Sequence, residues 1–219
     1  MDSNVKKIAC VTGASSGIGY ATAKELATLG YDIIAVARRM DRLKELEEDL
    51  NQNPETSDCR VFLAELDVRN KMDVQSFYDA LPEDWKSIDV LVNNAGLAKG
   101  LSKFYDGDTD HWDQMIDTNI KGLLYVSRTV TPGMISRGKG HIINIGSTAG
   151  KEVYKDGNVY CASKHAVDAI SKAQRIDLLP YQIKVTAIHP GAADTEFSVV
   201  RFKGDAEKAN AVYTGYTPL

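Results

Sequence analysis

Short apolar runs alternate with longer stretches of helical spacing along this chain. The runs are apolar throughout rather than at every second position, and Gly, Asn, Asp or Pro bounds them. They are Lys7–Thr12, Asp32–Ala37, Arg60–Ala64, Asp89–Val92, His141–Gly146 and Lys184–Ile188. Strands that are covered on both faces have this composition, so the pattern predicts a parallel sheet between two layers of helices.

Helical spacing fills the segments between these runs. Leucines recur at helical intervals within Arg42–Leu50, and residues 110–136 and 158–179 are the longest helical candidates. The order predicts an α/β fold over residues 1–219: a single domain with a doubly wound parallel sheet, in a Rossmann-type three-layer α/β/α sandwich. Ligands of such folds bind at the carboxyl ends of the strands. We expect Leu97–Asp108 to be a surface loop.

Composition narrows the classes of function. A net charge of -4 and a pI near 5.6 give no basic surface for nucleic acid or an anionic membrane. The longest apolar run, Ile33–Ala37, is too short to span a bilayer. Cys10, Cys59 and Cys161 are widely spaced and show no metal-ligand spacing. We expect a reduced, cytoplasmic protein that binds no metal.

A glycine-rich turn follows the first predicted strand. Its candidate binding residues are Gly13, Ser15, Ser16, Gly17, Ile18 and Gly19. Glycines let the backbone approach a pyrophosphate, and the N-terminus of the next helix supplies free N–H donors. The spacing Gly-x-x-x-Gly-x-Gly differs from the common Gly-x-Gly-x-x-Gly, and a tight turn without a ligand has a similar composition. The strand before it and the helix after it favour a dinucleotide.

The end of the second strand predicts which dinucleotide binds. In dinucleotide folds an acidic residue at this point binds the ribose hydroxyls. Here Arg38 and Arg39 follow Ala37 instead. A carboxylate would repel a 2′-phosphate, whereas guanidinium groups form charge-assisted contacts with it. The pair therefore predicts NADP, although two solvated charges at a helix start have the same sequence.

A tyrosine and a lysine four residues apart supply candidate acid–base chemistry. Tyr160 and Lys164 share one helix face, where a cation favours the phenolate form of a phenol whose ordinary pKa is about 10. The spacing alone is not specific, because Tyr20 and Lys24 repeat it; we expect that pair to be helix surface and packing. Ser147 distinguishes the first pair, since it ends a predicted strand at the binding edge of the sheet.

Together these motifs resemble the short-chain dehydrogenase/reductase family. The resemblance covers residues 7 to about 198, and the motifs are specific as a set. In the family's order they are the Thr12–Gly19 loop, Asp67, Asn93–Gly96, Asn119, Ser147, Tyr160 with Lys164, and Pro190-Gly191 with Thr195.

The resemblance implies a role for each matching residue. Tyr160 would be the general acid–base, Lys164 would lower its pKa and bind the nicotinamide ribose, and Ser147 would orient the substrate. Asn119 would hold a proton-relay water. The cofactor would contact Asp67 and Val68 at the adenine, Asn94 and Gly96 at the adenine ribose, and Pro190, Gly191 and Thr195 at the nicotinamide end.

Several segments are similar to the NADP-dependent 3-hydroxy acid dehydrogenases, a group that includes serine and allo-threonine dehydrogenases. They are Leu66–Asn70, Met115–Asn119, His141–Gly150, Thr195–Ser198 and Val200–Asp205. The similarity implies a small 3-hydroxy acid or 3-oxo acid as substrate, and a homo-oligomer, dimer or tetramer, that pairs through residues 110–136 and 158–179. Arg201 is a candidate partner for the substrate carboxylate.

The C-terminus departs from this pattern. The chain continues for 28 residues after Gly191, and no strand-like run closes it. We expect it to lack the last helix and strand of the fold, with which such enzymes normally complete a tetramer contact and part of the substrate cover.

Three other functions would have different sequence signatures. A serine hydrolase would need Gly-x-Ser-x-Gly at a strand–helix turn, and the residues around Ser147 fail at both glycine positions. A 3-oxoacyl-carrier-protein reductase is the alternative within the enzyme class. A non-catalytic NADP-binding sensor is the alternative of another class, because cofactor binding needs only the N-terminal half of the chain.

Overall fold

The structure is a computed structural model that describes residues 6–193 and 195–201. Six parallel strands of these residues form one sheet, in the order β3-β2-β1-β4-β5-β6. They are β1 (Ile8–Thr12), β2 (Asp32–Ala37), β3 (Val61–Glu65), β4 (Ile88–Asn93), β5 (Gly140–Ile145) and β6 (Ile183–Ile188). Each lies within one residue of its predicted position at either end. The order reverses between β1 and β4, which is where such sheets open a crevice for ligands. The predicted doubly wound parallel sheet is confirmed.

Helices cover both faces of the sheet. They are α1 (Gly17–Thr28), α2 (Met40–Gln52), α3 (Lys71–Ala80), α4 (Thr109–Ile116), α5 (Leu123–Arg137), α6 (Asn158–Leu178) and α7 (Glu196–Arg201). Adjacent residues of a strand face opposite layers, so Ile33 packs into the core under α1 and α2 while Ile34 packs into the core on the other face. Two-sided burial explains why the strands are apolar throughout.

A π-helical segment interrupts the longest helical stretch. Residues 110–136 were predicted as one helix, and the structure divides them into α4, a π-helix over Asp117–Gly122 and α5. Thr118 and Asn119 are buried in the widened turn. Side chains of this segment therefore reach the carboxyl edge of the sheet.

Two predictions about the ends of the chain have different outcomes. In the described residues no helix is both long and apolar enough to cross a membrane. The expected loss of the last helix and strand concerns residues 202–219, which lie outside the described residues, as do Phe202–Asp205 of the family pattern.

Candidate active site

The turn after β1 brings its backbone, rather than side chains, to the crevice. Gly13 and Gly17 adopt φ values of +68° and +53°, a left-handed conformation that glycine tolerates best. A Cβ on Gly13 would lie 2.8 Å from Asn94 Nδ2, so a larger residue would collide. Helix α1 starts at Gly17 and has no acidic residue in its first turn, which leaves its N-terminus attractive to an anion.

Asn94 fastens the ends of β1 and β4 to each other. Its Nδ2 donates to the carbonyl oxygens of Thr12 (3.0 Å) and Gly13 (3.1 Å). The hydroxyl of Thr12 accepts hydrogen bonds from the backbone N–H groups of Asn94 and Ala95. Gly19 lies behind this junction, where a Cβ would come within 2.3 Å of Gly13 O and of Asn94 Nδ2. These hydrogen bonds and this close packing hold the ends of β1 and β4 together below the cavity.

Basic side chains lie at the end of β2, as the sequence predicts. Arg38 is exposed beside the crevice. Arg39 is held by Glu196 of α7, with 2.8 Å between Nη2 and Oε2, and its Nη2 lies 3.4 Å from the hydroxyl of Ser15. Arg39 holds the pKa of the Glu196 carboxyl below its usual range. This ion pair was not predicted, because it joins residues 157 positions apart.

Asp67 is fixed by Arg69. The carboxylate accepts hydrogen bonds from Arg69 Nε at 2.9 Å and from the Arg69 backbone at 3.0 Å. These bonds from Arg69 hold the pKa of Asp67 below its usual range, so the carboxylate is ionised. Asp67 and Val68 both line the crevice beyond the end of β3.

Tyr160 and Ser147 meet at the opposite end of the crevice. The phenol of Tyr160, on α6, and the side chain of Ser147, which follows β5, both line this end, close enough for Ser147 to act on the pKa of the phenol. The Ser147 hydroxyl also accepts a hydrogen bond from the backbone N–H of Ala149 at 3.1 Å, so its direction is fixed. Two residues on separate elements thus place hydroxyl groups side by side, as the sequence predicts.

The surroundings of Tyr160 are more apolar than the sequence suggests. Its ring is 9% exposed and lies against Phe197, with 5.8 Å between the ring centroids. Burial raises the pKa of Tyr160 to about 12, while the side chain of Ser147 and the charge of Arg201 act in the lowering direction. The net direction is opposite to the one expected from the sequence, because removal from water outweighs the nearby hydroxyl and cation.

Lys164 is buried on α6 one turn after Tyr160. Its Nζ lies 6.0 Å from the Tyr160 ring centroid and donates to the carbonyl of Ile145 at 2.9 Å. Burial lowers the pKa of Lys164 to about 8. A Cβ on Gly96 would lie 3.5 Å from this Nζ, so the ammonium lies close to the backbone of Gly96. The tyrosine and lysine share one face of α6, as predicted.

Asn119 connects the loop after β4 to α6 through its side-chain amide. Its side-chain amide exchanges two hydrogen bonds with the backbone of Leu97 (2.8 and 2.9 Å) and donates a third to Ser163 Oγ at 3.0 Å. The amide is therefore fully engaged with protein atoms. Its neighbour Thr118 lines the crevice with a buried hydroxyl that has no partner among the described residues.

The second tyrosine–lysine pair lies elsewhere. Tyr20 donates a hydrogen bond to Asp49 Oδ2 at 2.6 Å, and Lys24 contacts the same oxygen at 2.9 Å. The pair thus ties α1 to α2 on the outside of the protein, as predicted from its position.

These groups surround one cavity of about 340 Å³. Of the predicted site residues, those that line it are Gly13, Ser15, Ser16, Gly17, Ile18, Arg38, Arg39, Asp67, Val68, Asn94, Gly96, Ser147, Tyr160, Lys164, Pro190, Gly191 and Thr195. Gly19 and Asn119 do not line it and lie one layer behind. The cavity also includes Thr118, Glu196 and Phe197, which the sequence did not single out as site residues. Among the described residues, no group of three His, Cys, Asp or Glu side chains could hold a metal ion.

The sequence matches a known protein family over most of its length. A family model described as short chain dehydrogenase matches residues 7–205. The chain belongs to the short-chain dehydrogenase family. The cavity is lined by most of the residues for which the resemblance implies contacts with the cofactor and the substrate.

Relatives within the short-chain dehydrogenases are close. The chain is 47% identical to the NADP-dependent 3-hydroxy acid dehydrogenase YdfG of Salmonella typhi, over 97% of this chain and 83% of that protein. It is 44% identical to sulfoacetaldehyde reductase 2 of Chromohalobacter salexigens, over 97% and 82%. Among solved structures, the closed form of a serine dehydrogenase complexed with NADP+ matches with a TM-score of 0.89 and 44% identity, over 96% of this chain and 82% of that one.

Proposed function

We propose that this short-chain dehydrogenase is an NADP-dependent enzyme that interconverts a small 3-hydroxy acid, of the serine or allo-threonine type, and the corresponding 3-oxo acid. The observation that carries the proposal is that Tyr160 and Ser147 lie beside each other at one end of the cavity. Two hydroxyl groups held together there can both contact the oxygen of one carbinol or carbonyl group. The 47% identical relative named for this activity supports the substrate class.

The cavity fits a dinucleotide phosphate. Its volume is in the range of small-molecule sites, and its wall at the Gly13–Gly17 turn is backbone that a Cβ would obstruct. The guanidinium groups of Arg38 and Arg39 suit a 2′-phosphate. Bound NADP(H) would supply or accept the hydride. The residues proposed to hold it are those of the glycine loop with Arg38, Arg39, Asp67, Val68, Asn94, Gly96, Tyr160, Lys164, Pro190, Gly191 and Thr195.

Tyr160 handles the proton in this proposal. With a pKa of about 12 its phenol is neutral at physiological pH and donates its proton to the carbonyl oxygen during reduction. During oxidation it takes the proton of the substrate hydroxyl, and the charges of Lys164 and Arg201 favour the phenolate that precedes this step. Ser147 orients the substrate oxygen, and Asn119 is the residue proposed to hold a proton-relay water.

Arg201 is proposed to recognise the acid group of the substrate. Its guanidinium lies over the ring of Tyr160, with 5.6 Å from Cζ to the ring centroid. The guanidinium is buried, at 6% exposure, and donates to Gly100 O at 3.0 Å and to the hydroxyl of Tyr154 at 3.2 Å, outside the set of residues that lines the cavity. The carboxylate of a 3-hydroxy acid, two bonds away from the carbinol carbon, would bind Arg201 by taking over one of these contacts. The sulfonate of sulfoacetaldehyde, the substrate that names a 44% identical relative, has the same requirement.

The proposal includes the setting of the enzyme. Cys10, Cys59 and Cys161 are free and buried, which supports a reduced, cytoplasmic protein. We propose a homo-oligomer, and a small molecule rather than nucleic acid or a membrane as its partner. Reduction of 3-oxoacyl groups on a carrier protein remains the alternative activity, and NADP sensing without turnover remains the alternative class.

A substrate panel tests the activity. The purified protein is given serine, allo-threonine and 3-hydroxybutyrate with NADP, and 3-oxoacyl thioesters or sulfoacetaldehyde with NADPH, while NADPH absorbance is followed. We expect turnover of the hydroxy acids. Turnover of thioesters alone would favour the carrier-protein reductase. Binding of NADPH with no consumption on any substrate would favour the sensor.

The cofactor assignment has its own test. We expect Arg38→Asp combined with Arg39→Ala to weaken NADPH binding by about 10- to 100-fold, because charge-assisted hydrogen bonds contribute roughly 1.5–3 kcal/mol. NADH, which has no 2′-phosphate, should lose much less affinity in fluorescence titrations. Arg42→Ala, which removes a neighbouring charge on α2, is the control. Equal losses for the two cofactors would show that the phosphate is not bound there.

A further inference from the structure

The chain after β5 remains attached to the chain after β6. The backbone N–H of Gly146 donates to Ile188 O at 2.7 Å, and the N–H of Thr148 donates to Pro190 O at 3.0 Å. Ser147 lies between these two bonds. Its main chain is therefore aligned along the segment that leads into Pro190. Its own carbonyl accepts a hydrogen bond from the backbone N–H of Gly150 at 2.8 Å and has a second partner in a side chain.

His189 supplies that partner. Its Nδ1 lies 3.1 Å from the carbonyl oxygen of Ser147, and because a carbonyl only accepts, the imidazole donates. Its Nε2 lies 3.4 Å from Asp168 Oδ1, and both side chains are mostly buried, at 18% and 15% exposure. A Cβ on Gly146 would lie 2.5 Å from Nδ1, so the ring is packed directly against the backbone before Ser147. The imidazole thus contacts both Ser147 and Asp168, and it bridges them as a donor when each of its two ring nitrogens carries a proton.

Asp168 belongs to the helix that also presents the acid–base. Tyr160, Lys164 and Asp168 follow one another at four-residue intervals along α6 and share one face. Lys151 and Lys172 each approach the Asp168 carboxylate to 2.8 Å. Hydrogen bonds from these two lysines hold the pKa of Asp168 far below its usual range, so the carboxylate is a permanently charged anchor.

We propose that His189 is a positioning residue that fixes Ser147 relative to Tyr160, with Asp168 holding the imidazole. Ser147 follows a strand and Tyr160 lies on a helix, so the separation of their hydroxyls depends on how the strand end is attached to α6. The His189–Asp168 bridge makes that attachment together with the hydrogen bond from Lys164 to the carbonyl of Ile145. The imidazole contacts the carbonyl of Ser147 and not its hydroxyl, so it orients the residue without activating a nucleophile. The inference rests on the proposed function, since it concerns turnover.

Two substitutions separate positioning from packing. His189→Leu keeps most of the volume and removes both polar contacts, whereas His189→Asn places an amide N–H close to the position of Nδ1. We expect His189→Leu to lower kcat by about 10- to 100-fold, the scale of a small misplacement at a reacting centre. The dissociation constant of NADPH should stay within about twofold, and His189→Asn should restore most of kcat. Unchanged kcat in His189→Leu, or no rescue by asparagine, overturns the proposal.

A control and a double variant show the route of the effect. His141 also bonds β5 to β6, through Thr186 Oγ1 at 2.9 Å, but at the other end of the strands. His141→Leu should leave kcat unchanged. In a Ser147→Ala background, His189→Leu should cause little further loss, because residues that act through one another are not additive. The same fold-loss in both backgrounds overturns the route through Ser147.

A measurement without turnover distinguishes failure of this inference from failure of the proposed function. Long-range 1H–15N spectra report which ring nitrogen of His189 carries a proton, and we expect one on Nδ1. A deprotonated Nδ1 overturns the bridge whether or not the protein is active. A protonated Nδ1 in a protein that turns over no substrate contradicts only the proposed function. An active enzyme whose His189→Leu variant keeps full kcat contradicts only the positioning role.

Discussion

Environment, more than residue type, separates two tyrosine–lysine pairs of equal spacing. Tyr20 donates to Asp49 on the outer surface of α1 and α2, while Tyr160 meets Ser147 inside the cavity. Burial is the first cause of the raised pKa in both phenols, at about 12. A raised pKa therefore does not identify the acid–base, and the neighbouring hydroxyl of Ser147 does.

The pair offers a matched test of the acid–base. We expect Tyr160→Phe to reduce kcat by roughly 100- to 10,000-fold, the contribution of a positioned acid–base, while NADPH still binds. Tyr20→Phe removes a phenol at the same helical spacing and should leave kcat nearly unchanged. Steady-state kinetics with a cofactor titration would make the comparison, and near-normal rates in Tyr160→Phe would remove that residue from the mechanism.

The lowered pKa of Lys164 predicts how cofactor affinity depends on pH. A lysine with a pKa of about 8, below its usual 10.5, keeps its charge at pH 7 and loses it as the pH rises through 8. If its ammonium binds the cofactor ribose, NADPH affinity should fall by about tenfold or more above that pH, since a charge-assisted hydrogen bond is worth roughly 1.5–3 kcal/mol.

Titrations of NADPH fluorescence between pH 6 and 10 measure this dependence. Lys164→Met should bind weakly at every pH and lose the step near pH 8. Lys24→Met, which removes the surface lysine of the second pair, should retain it. A wild-type affinity that is flat through pH 8 would contradict the role of Lys164 in binding.

At the scale of elements, the junction between the glycine loop and β4 should be the least tolerant of added volume. Gly19→Ala would place a methyl group 2.3 Å from Gly13 O and from Asn94 Nδ2. We expect a loss of roughly 1–3 kcal/mol of stability, as overpacking usually causes, together with weaker NADPH binding.

Thermal unfolding with and without NADPH checks this expectation. Gly133→Ala on α5 is the control, because its methyl would lie nearest to the side-chain ends of Tyr78 and Arg137, with the backbone oxygen of Lys86 at an ordinary contact distance of 4.0 Å. That change should be neutral or slightly stabilising. A fully stable Gly19→Ala protein with normal cofactor affinity would mean that the junction yields more easily than its packing indicates.

The sequence predicted strands better than helices, for a physical reason. Strands buried on both faces are short and apolar throughout, and all six runs lie within one residue of the observed bounds. The bounds of helix α3 were not predicted, because Val74 is its only fully buried residue and its apolar period is weak. The π-helix at Asp117–Gly122 was predicted as ordinary helix, because a single widened turn leaves the spacing of apolar residues almost unchanged.

The candidate site was predictable where a motif is local. The glycine loop, the arginines after β2 and the face of α6 all follow from spacing within one segment. Phe197 and Glu196 line the cavity because α7 packs beside it in the folded chain. The sequence around Tyr160 and Arg39 contains no signal for these contacts. The direction of the Tyr160 pKa was missed for the same reason, since burial is a property of the whole fold.

At the scale of the whole molecule, exposed apolar residues on the paired helices support self-association. Ile116 at the end of α4, Leu124 on α5 and Ile176 on α6 are 36%, 41% and 73% exposed. These residues belong to the segments predicted to form the dimer face. We expect light scattering to give the mass of a dimer or tetramer.

A charge on that face should dissociate the assembly. Leu124→Lys is expected to shift the mass towards a monomer, because it would bury an unpaired ammonium at the contact. Met72→Lys, on the equally accessible α3, is the control and should not change the mass. A wild-type protein that is monomeric at high concentration would reject the predicted face.

The contact between Arg39 and Glu196 has a consequence for selectivity. The guanidinium already has an internal anion, held at 2.8 Å across the mouth of the cavity. An incoming anion competes with that carboxylate for the guanidinium, so its gain is smaller than the full attraction to an unpaired arginine. A doubly charged phosphate is attracted to the guanidinium more strongly than a singly charged anion, so it competes better with the carboxylate. The Glu196 carboxylate therefore favours doubly charged over singly charged anions at this end of the cavity.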